Sequence, residues 1–151
     1  MRLALYQPEI PQNLGTLLRL GACLSVPLDI IDPCSFPLSD SRLRRAGMDY
    51  LERASLTRHK DWEDFLKSTR SRRIILFTPH ASRSFLDFVF EKKDTLLLGR
   101  ESTGIPADIA EQLEIHLKIP MLPDRRSMNI ALAGAMALRE AFRQTNLFPT
   151  P

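Results

Sequence analysis

The chain has 151 residues, of which 44% are hydrophobic and 26% are charged, as expected for one ordinary globular domain. This composition excludes a disordered or low-complexity protein. The net charge of +3 is too small to indicate a nucleic-acid partner by itself. Arginine, however, supplies most of the 21 basic residues, and its planar fork of donors suits phosphate groups. The basic residues form three clusters: Arg42, Arg44 and Arg45; Arg70, Arg72 and Arg73; and Arg125 and Arg126.

The cysteines and histidines do not have the spacing of a metal site. Cys23 and Cys34 are expected to be reduced thiols, because the amino terminus does not read as a secretion signal. The longest run of apolar and small residues, Ile130–Leu138, is too short to span a bilayer. We therefore expect a cytoplasmic protein with no metal ion and no membrane partner.

Short apolar runs alternate with helical patterns, which predicts an α/β domain with a mostly parallel sheet flanked by helices. The predicted strands are Leu3–Tyr6, Leu28–Ile31, a weaker one near Ala54–Thr57, Ile74–Thr78, Thr95–Leu98 and Ile115–Ile119. The predicted helices are Leu14–Leu24, Ser39–Ala46, Trp62–Ser68, Pro106–Gln112 and Met128–Gln144. Since no linker divides the chain, residues 1–151 are expected to form a single domain.

The first and last predicted helices have different patterns. In the first, Asn13 is the predicted N-cap and Arg19 points away from the apolar face, which consists of Leu14, Leu17, Leu18 and Gly21. In the last, residues 128–138 are apolar or small nearly all the way round, and Ser127 is a candidate N-cap. Such a helix fits between its own sheet and a second subunit, or at the centre of a single core.

Three turns rich in glycine or proline follow predicted strands, where open α/β sheets bind their ligands: Pro8–Gly15, Leu98–Pro106 and Ile119–Asn129. None of them is a phosphate-binding loop, a dinucleotide fingerprint or a nucleophile elbow. These absences argue against nucleotide hydrolases, dehydrogenases and serine hydrolases. A small-molecule oxidoreductase is therefore a poor match to the sequence.

The same three turns carry a resemblance to a known family. Pro8–Gly15, followed by Arg19, resembles the first motif of the SPOUT RNA 2′-O-methyltransferases. Gly99–Pro106 resembles their second motif, and Ile119–Met121 with Arg126–Ile130 resembles their third. The resemblance covers nearly the whole chain, with the motifs in order and at matching spacing.

The segment Leu43–Tyr50 is similar to the TrmL (YibK-like) branch, the tRNA (cytidine/uridine) 2′-O-methyltransferases that act on the wobble nucleotide of certain leucine tRNAs. The resemblance implies a deep trefoil knot in the carboxy-terminal part of the domain. It also implies S-adenosylmethionine as methyl donor, S-adenosylhomocysteine as product, tRNA as substrate and a homodimer that completes each site.

The resemblance also implies roles for individual residues. The methyl-donor pocket would be lined by Phe77, Thr78, Gly99, Glu101, Gly104, Ile119, Met121, Ser127 and Met128. The family proposal makes Arg19 a base that acts on the ribose 2′-hydroxyl. Because a guanidinium stays protonated in proteins, we expect instead that Arg19 grips the neighbouring phosphate and orients the hydroxyl, with Asn13 and Asn129 holding the loops. Glu101 is expected to orient Arg19 or the polar end of the donor. RNA contacts are expected from Arg42, Arg44, Arg45, Arg126 and Arg139.

One position departs from the branch. Arg139 stands where the TrmL branch usually has tyrosine, on the same predicted helical stripe as Leu132 and Ala135, and is therefore expected to be buried. We expect it to reach the active-site rim or the dimer interface, against RNA phosphate or an acidic group. Because of this departure, two alternative functions remain open. The protein could perform the same chemistry on another tRNA or rRNA position, or it could be a catalytically idle RNA-binding dimer.

Overall fold

The computed structural model describes residues 1–150, and its centre is a six-stranded sheet with only parallel pairings. The strands are β1 (Arg2–Tyr6), β2 (Leu28–Ile31), β3 (Leu56–His59), β4 (Ile74–Phe77), β5 (Thr95–Leu98) and β6 (Ile115–Leu117). Their order across the sheet is β3-β2-β1-β5-β4-β6. The predicted α/β class is confirmed; Pro151, the last residue of the predicted single domain, lies outside the described residues.

Residues 1–150 contain five α-helices and two short 3₁₀ helices, of which the last α-helix follows the last strand and the others lie between strands. The α-helices are α1 (Pro11–Leu24), α2 (Ser41–Gly47), α3 (Trp62–Thr69), α4 (Ala107–Ala110) and α5 (Ile130–Thr145). The 3₁₀ helices are Met48–Glu52 and Phe85–Asp87. Across residues 1–150, no helix has the length and apolar character needed to cross a membrane.

The sheet has an apolar layer on each face. On one face, strand residues such as Leu3 and Leu98 pack with Leu17 of α1 and Leu138 of α5. On the other face, the strands pack against α3, whose Phe65 is fully buried. Both faces of a parallel sheet must be covered in this way, which explains why the strands are almost continuous apolar runs.

The start of α1 differs from the prediction. The helix begins at Pro11, with Ile10 as the N-cap residue, because proline lacks the N–H that the first helical turn leaves unpaired. Asn13 is therefore inside the helix and buried, and the predicted capping role is wrong. The predicted apolar face is confirmed, since Leu14, Leu17, Leu18 and Gly21 are all buried.

Other helix and strand boundaries also differ from the prediction. The weak strand predicted at residues 54–57 is β3, which lies at the sheet edge and pairs with β2. The predicted helix at 106–112 is only the single turn of α4. The last helix begins at Ile130 rather than residue 128, because the Asn129 side chain, not Ser127, accepts hydrogen bonds from the Ala131 and Leu132 backbone N–H groups.

One face of α5 is open to solvent. Leu132 is 61% exposed and Met136 is 41% exposed, whereas Gly134 and Leu138 on the opposite side are buried against the sheet and α1. The Arg139 side chain lies on this open face and is 67% exposed. The predicted burial of Arg139 is wrong, because its helical stripe faces away from the sheet.

Glu140, the next residue, is buried and organises the end of α5, where Gln144 joins the helix to another segment. Its carboxylate accepts hydrogen bonds from Arg143, at 2.7 and 3.0 Å, and from the Gln144 amide, at 2.9 Å. Gln144 in turn bonds the Phe88 carbonyl and the Phe90 N–H. The pKa of Glu140 is lowered from its ordinary value of 4.5 to about 2, chiefly by the hydrogen bonds from Arg143 and then by the one from Gln144.

We expect Glu140→Gln to lower the free energy of unfolding at pH 7 by about 1–2 kcal/mol. This is less than the pKa shift alone implies, because Arg143 and Arg139, which also lies 3.3 Å from the Glu140 carboxylate, are both largely exposed. A depressed carboxyl pKa stabilises the fold above the unfolded pKa, so this contribution should fade as pH falls from about 4.5 towards 2. Urea unfolding at pH 7 and pH 3 measures both effects. Glu111→Gln, at an exposed carboxylate, is the control; equal losses in both variants would contradict the prediction.

Candidate functional site

A cavity of about 610 Å³ opens at the carboxyl ends of β4 and β5. Its floor contains Phe77 and Leu98, the last residues of these two strands. Its walls come from the three loops that follow β1, β5 and β6, from residues 78–80 directly after β4, and from the first turns of α5. This is the edge at which open parallel sheets bind ligands, and the volume is typical of small-molecule sites.

The loop after β5 is a tight turn that only glycine permits at two positions. The Arg100 and Gly104 backbones exchange hydrogen bonds of 2.9 and 3.0 Å, which close the turn. A Cβ atom on Gly99 would lie 2.6 Å from the Gly104 carbonyl carbon, and Gly104 itself has a φ of +71°. Both glycines line the cavity, together with Arg100 and Glu101 of the same turn.

Glu101, in this turn, ties the β5 loop to the β1 loop. Its carboxylate accepts backbone hydrogen bonds from Glu9, at 2.9 Å, and Ile10, at 3.3 Å. It also accepts a hydrogen bond of 3.2 Å from the Asn13 side-chain amide. One carboxylate thus satisfies three donors at the start of α1, a region where the helix itself leaves N–H groups free.

Asn13 extends the connection to the third loop. Its side-chain oxygen accepts a 3.0 Å hydrogen bond from the Asn129 amide, and the Asn129 oxygen caps α5. Glu101, Asn13 and Asn129 therefore form a chain of hydrogen bonds, which we call the amide relay, across all three loops. The loop-holding contact predicted for Asn13 and Asn129 is present, whereas Glu101 bonds the β1 loop and Asn13 rather than Arg19.

A second set of contacts reinforces the same loops. The Glu9 carboxylate accepts hydrogen bonds from the Ser102 N–H and hydroxyl, both at 2.8 Å, and these bonds lower the pKa of Glu9. Arg100 donates to the Gln7 side-chain oxygen, with Nε at 2.9 Å, and lies over the Tyr6 ring. The β1 and β5 loops are thus preorganised as one unit.

All nine residues predicted for the methyl-donor pocket line this one cavity, although they come from four separate segments of the sequence. They are Phe77, Thr78, Gly99, Glu101, Gly104, Ile119, Met121, Ser127 and Met128. Asn13, Asn129 and Arg126 line it as well. Phe77 is also part of the apolar core, so its position serves packing as well as the cavity wall.

Arg19 does not line the cavity of its own chain. It is exposed on the outer side of α1, with its guanidinium 3.0 Å from the Met48 sulfur and 5.5 Å from the centre of the Tyr50 ring. Met48 has a φ of +52°, a conformation that non-glycine residues rarely adopt. The segment that follows α2 therefore holds Arg19 away from the loops.

The other arginines predicted to bind RNA are exposed, but they lie in different places. Arg126 borders the cavity. Arg42 is held by Asp40, at 2.8 Å, while Arg44 and Arg45 lie in the last turn of α2. Arg139 lies outside the cavity lining, and its acidic contact is Glu140 of the same helix, at 3.3 Å. The expectation that it reaches the rim is not met within this single chain.

Sequence reasoning missed several cavity residues. Arg100, Ser102 and Thr103 lie inside the second motif, and His80 lies just after the end of β4. Their position at the carboxyl ends of strands was the available signal. Among residues 1–150, no group of three or more His, Cys, Asp or Glu side chains could hold a metal ion.

Comparisons with known proteins place this architecture in a family. The model of the SpoU rRNA Methylase family matches residues 1–139. A protein of Beijerinckia indica named tRNA (cytidine(34)-2'-O)-methyltransferase is 49% identical over 94% of this chain and 90% of its own length. The protein of the same name from Escherichia coli K12 is 40% identical over 95% and 93%.

Solved structures agree with the sequence relatives. A structure described as giving insights into the 2-OH methylation of C/U34 on tRNA has a TM-score of 0.91 and 41% identity, over 95% of this chain and 94% of that chain. An AdoMet-bound rRNA methyltransferase from Sinorhizobium meliloti has a TM-score of 0.84 and 25% identity, over 94% of this chain and 55% of its own. With matches that span nearly its whole length, the chain belongs to the SpoU rRNA methylase family.

Proposed function

We propose that the protein transfers a methyl group from S-adenosylmethionine to the ribose 2′-hydroxyl of the wobble nucleotide of tRNA, with leucine tRNAs as substrates, in the cytoplasm. The observation that carries the proposal is the convergence of three separate motifs on one cavity, held together by the amide relay of Glu101, Asn13 and Asn129. The names of the Beijerinckia indica and Escherichia coli relatives support the wobble cytidine as the methylated nucleotide.

The cavity suits the methyl donor. Phe77, Ile119, Met121 and Met128 supply apolar walls on which an adenine ring can pack, and Thr78 and Ser127 supply hydroxyl groups beside them. The tight turn at Gly99 brings backbone N–H and C=O groups close to the cavity, which suits the polar edges of adenine and ribose. The donor, once bound, supplies a methyl group on a positively charged sulfur.

The contribution of the chain is to align two ligands for an in-line transfer. The relay residues fix the loops, and the ribose oxygen must approach the methyl group from the side opposite sulfur. Arg19 grips the neighbouring phosphate and orients the hydroxyl, since a guanidinium stays protonated and cannot remove a proton. The hydroxyl proton passes to solvent as the oxygen–carbon bond forms and the carbon–sulfur bond breaks.

A second copy of the chain completes each site in this proposal. Arg19 of one protomer is held by Met48 and Tyr50 outside its own cavity, so a cavity must receive the arginine of its partner. The open face of α5, with Leu132 and Met136, lies beside the cavity residue Ala133 and supplies an apolar surface for pairing. An incomplete site and an uncovered apolar face therefore support a homodimer.

We also infer a trefoil knot in the carboxy-terminal part of the chain. β6 is an edge strand beside β4, yet α5 packs on α1 and on β1 and β5 in the middle of the sheet. The connecting segment passes the β5 loop at the cavity, and it starts beside Ser84 and Phe85, to whose backbone Lys118 is paired. An experimental density map in which residues 118–129 run outside the loops after β4 and β5 would exclude the knot.

The test is to incubate the purified protein with labelled S-adenosylmethionine and tRNA from cells that lack the wobble mark, and to identify the product nucleoside by mass spectrometry. We expect 2′-O-methylcytidine or a 2′-O-methylated uridine at the wobble position. Methyl transfer to another tRNA position or to rRNA would show that the protein performs the same reaction on a different nucleotide. Donor binding without transfer to any RNA would leave the alternative of an idle RNA-binding dimer and would overturn the proposed activity.

A further inference from the structure

The second arginine cluster of the sequence borders a groove that is separate from the donor cavity. The groove has a volume of about 520 Å³ and lies between the carboxy-terminal half of α3 and the start of β4. Lys67, Arg70 and Arg72 line it, together with one carboxylate, Glu63. No aromatic side chain belongs to its lining, in contrast to the cavity at the other end of β4.

The three cations of this groove outnumber its one carboxylate, and none of them forms an ion pair within residues 1–150. Lys67, Arg70 and Arg72 are exposed, and within residues 1–150 none of them has a carboxylate within 4.0 Å. By contrast, Arg73, the next residue, forms salt bridges with Asp94, at 2.8 Å, and with Glu91, at 3.0 Å. Arg73 is therefore a structural residue, whereas the other three cations leave a positive potential over the groove.

The carboxyl end of α3 accounts for only part of this arrangement. A cation in the last turn of a helix offsets the helix dipole, which explains Lys67 and, at the C-cap, Arg70. Arg72 lies beyond the helix, so the dipole does not explain its place in the groove. Three like charges around one depression favour an extended anion rather than a single internal partner.

The groove and the donor cavity lie at opposite ends of one strand. Ile74, the first residue of β4, lines the groove, and Phe77, the last, lines the cavity. Three residue steps along a strand correspond to about 10 Å. An RNA arm whose ribose enters the cavity carries backbone phosphates at repeated intervals of a few ångströms, so one RNA can span both sites.

On this basis, and resting on the proposed tRNA substrate, we propose that the groove between α3 and β4 binds backbone phosphates of the same tRNA, outside the methyl-donor site. Its ligating groups are guanidinium forks and one ammonium, which match phosphate oxygens and read no base. The groove therefore adds affinity for tRNA and leaves the choice of methylated nucleotide to the cavity.

The test is the double variant Arg70→Gln/Arg72→Gln of the full chain, with tRNA binding measured by fluorescence anisotropy over a range of salt concentrations. The matched control is Lys92→Gln/Lys93→Gln, which removes the same charge from exposed residues that line neither site. We expect the groove variant to weaken tRNA binding by about tenfold or more, and to reduce the slope of log Kd against log salt by about 1–2. Donor affinity and turnover at saturating tRNA should stay at the wild-type values.

Each outcome has one meaning. A groove variant that binds tRNA as tightly, and with the same salt slope, as the lysine control overturns the groove proposal. A groove variant that loses donor affinity or thermal stability as well would also overturn it, because the two arginines would then support the fold. Wild-type protein that neither binds nor methylates tRNA would instead overturn the proposed function.

Discussion

Replacing Arg19 by lysine is expected to lower turnover on tRNA about 100-fold or more while leaving donor affinity unchanged. Lysine keeps the positive charge but loses the planar fork that can hold a phosphate and a hydroxyl at fixed angles. It also loses the stacking of the guanidinium over Tyr50, which sets the direction of Arg19. Single-turnover methylation and donor titration measure the two effects, and Arg53→Lys, at an exposed arginine outside the cavity, is the control. Full turnover in Arg19→Lys would contradict the geometric role.

Mixing two variants of low activity tests whether Arg19 serves the partner's cavity. In a mixed dimer of Arg19→Lys and Glu101→Gln protomers, one cavity receives both native residues and the other receives both substitutions. Random assortment should therefore restore about a quarter of wild-type turnover if Arg19 acts across the interface. If Arg19 acted within its own chain, every cavity would carry one substitution, and the mixture would show only the average of the two low single-variant activities.

Replacing Glu101 by glutamine is expected to lower kcat/KM by about tenfold to 100-fold and to weaken donor binding, since a hydrogen bond to a charged acceptor contributes about 1.5–3 kcal/mol. Both carboxylate oxygens are needed to accept from Glu9, Ile10 and Asn13, and a glutamine amide nitrogen cannot accept. The loops after β1 and β5 would then no longer be fixed to each other. Donor titration and steady-state kinetics measure the effect.

Glu114→Gln is the matched control for this relay variant, because Glu114 is exposed and lies outside the cavity. The relay account also predicts that Asn13→Ala, which removes the link to Asn129, shows the same combination of weaker donor binding and slower transfer. A Glu101→Gln protein with native donor affinity and native kcat/KM would show that the relay does not organise the cavity.

The fold was predictable where the sequence pattern had a single interpretation. The apolar runs of β1, β2, β4 and β5 are buried on both faces, so their class and parallel pairing followed directly from composition and spacing. β3 was harder, because it is a half-exposed edge strand with Thr57 and Arg58 facing solvent. The first turns of α1 and α5 were misjudged because Asn13 and Ser127 fit a capping pattern that tertiary contacts override.

The cavity was predictable through motifs rather than through physical patterning. Phe77, Gly99 and Met128 all line the cavity, although they lie far apart in the sequence. Only the parallel topology of the sheet brings them together. The partner of Glu101 could not be predicted, because it depends on how close the β1 and β5 loops approach. The exposure of Arg139 was missed for a related reason: the small residues of α5 leave two faces that look alike in sequence, and only one meets the sheet.

The most direct test of wobble-ribose methylation uses two leucine tRNAs that differ by one oxygen atom. One has a ribose at the wobble nucleotide and the other a 2′-deoxyribose, and both are otherwise identical and equally able to bind. We predict that the protein transfers labelled methyl from S-adenosylmethionine to the first tRNA and none to the second, with similar binding of both. Equal transfer to both tRNAs, or transfer to neither by protein that binds the donor, would contradict methylation of the wobble ribose.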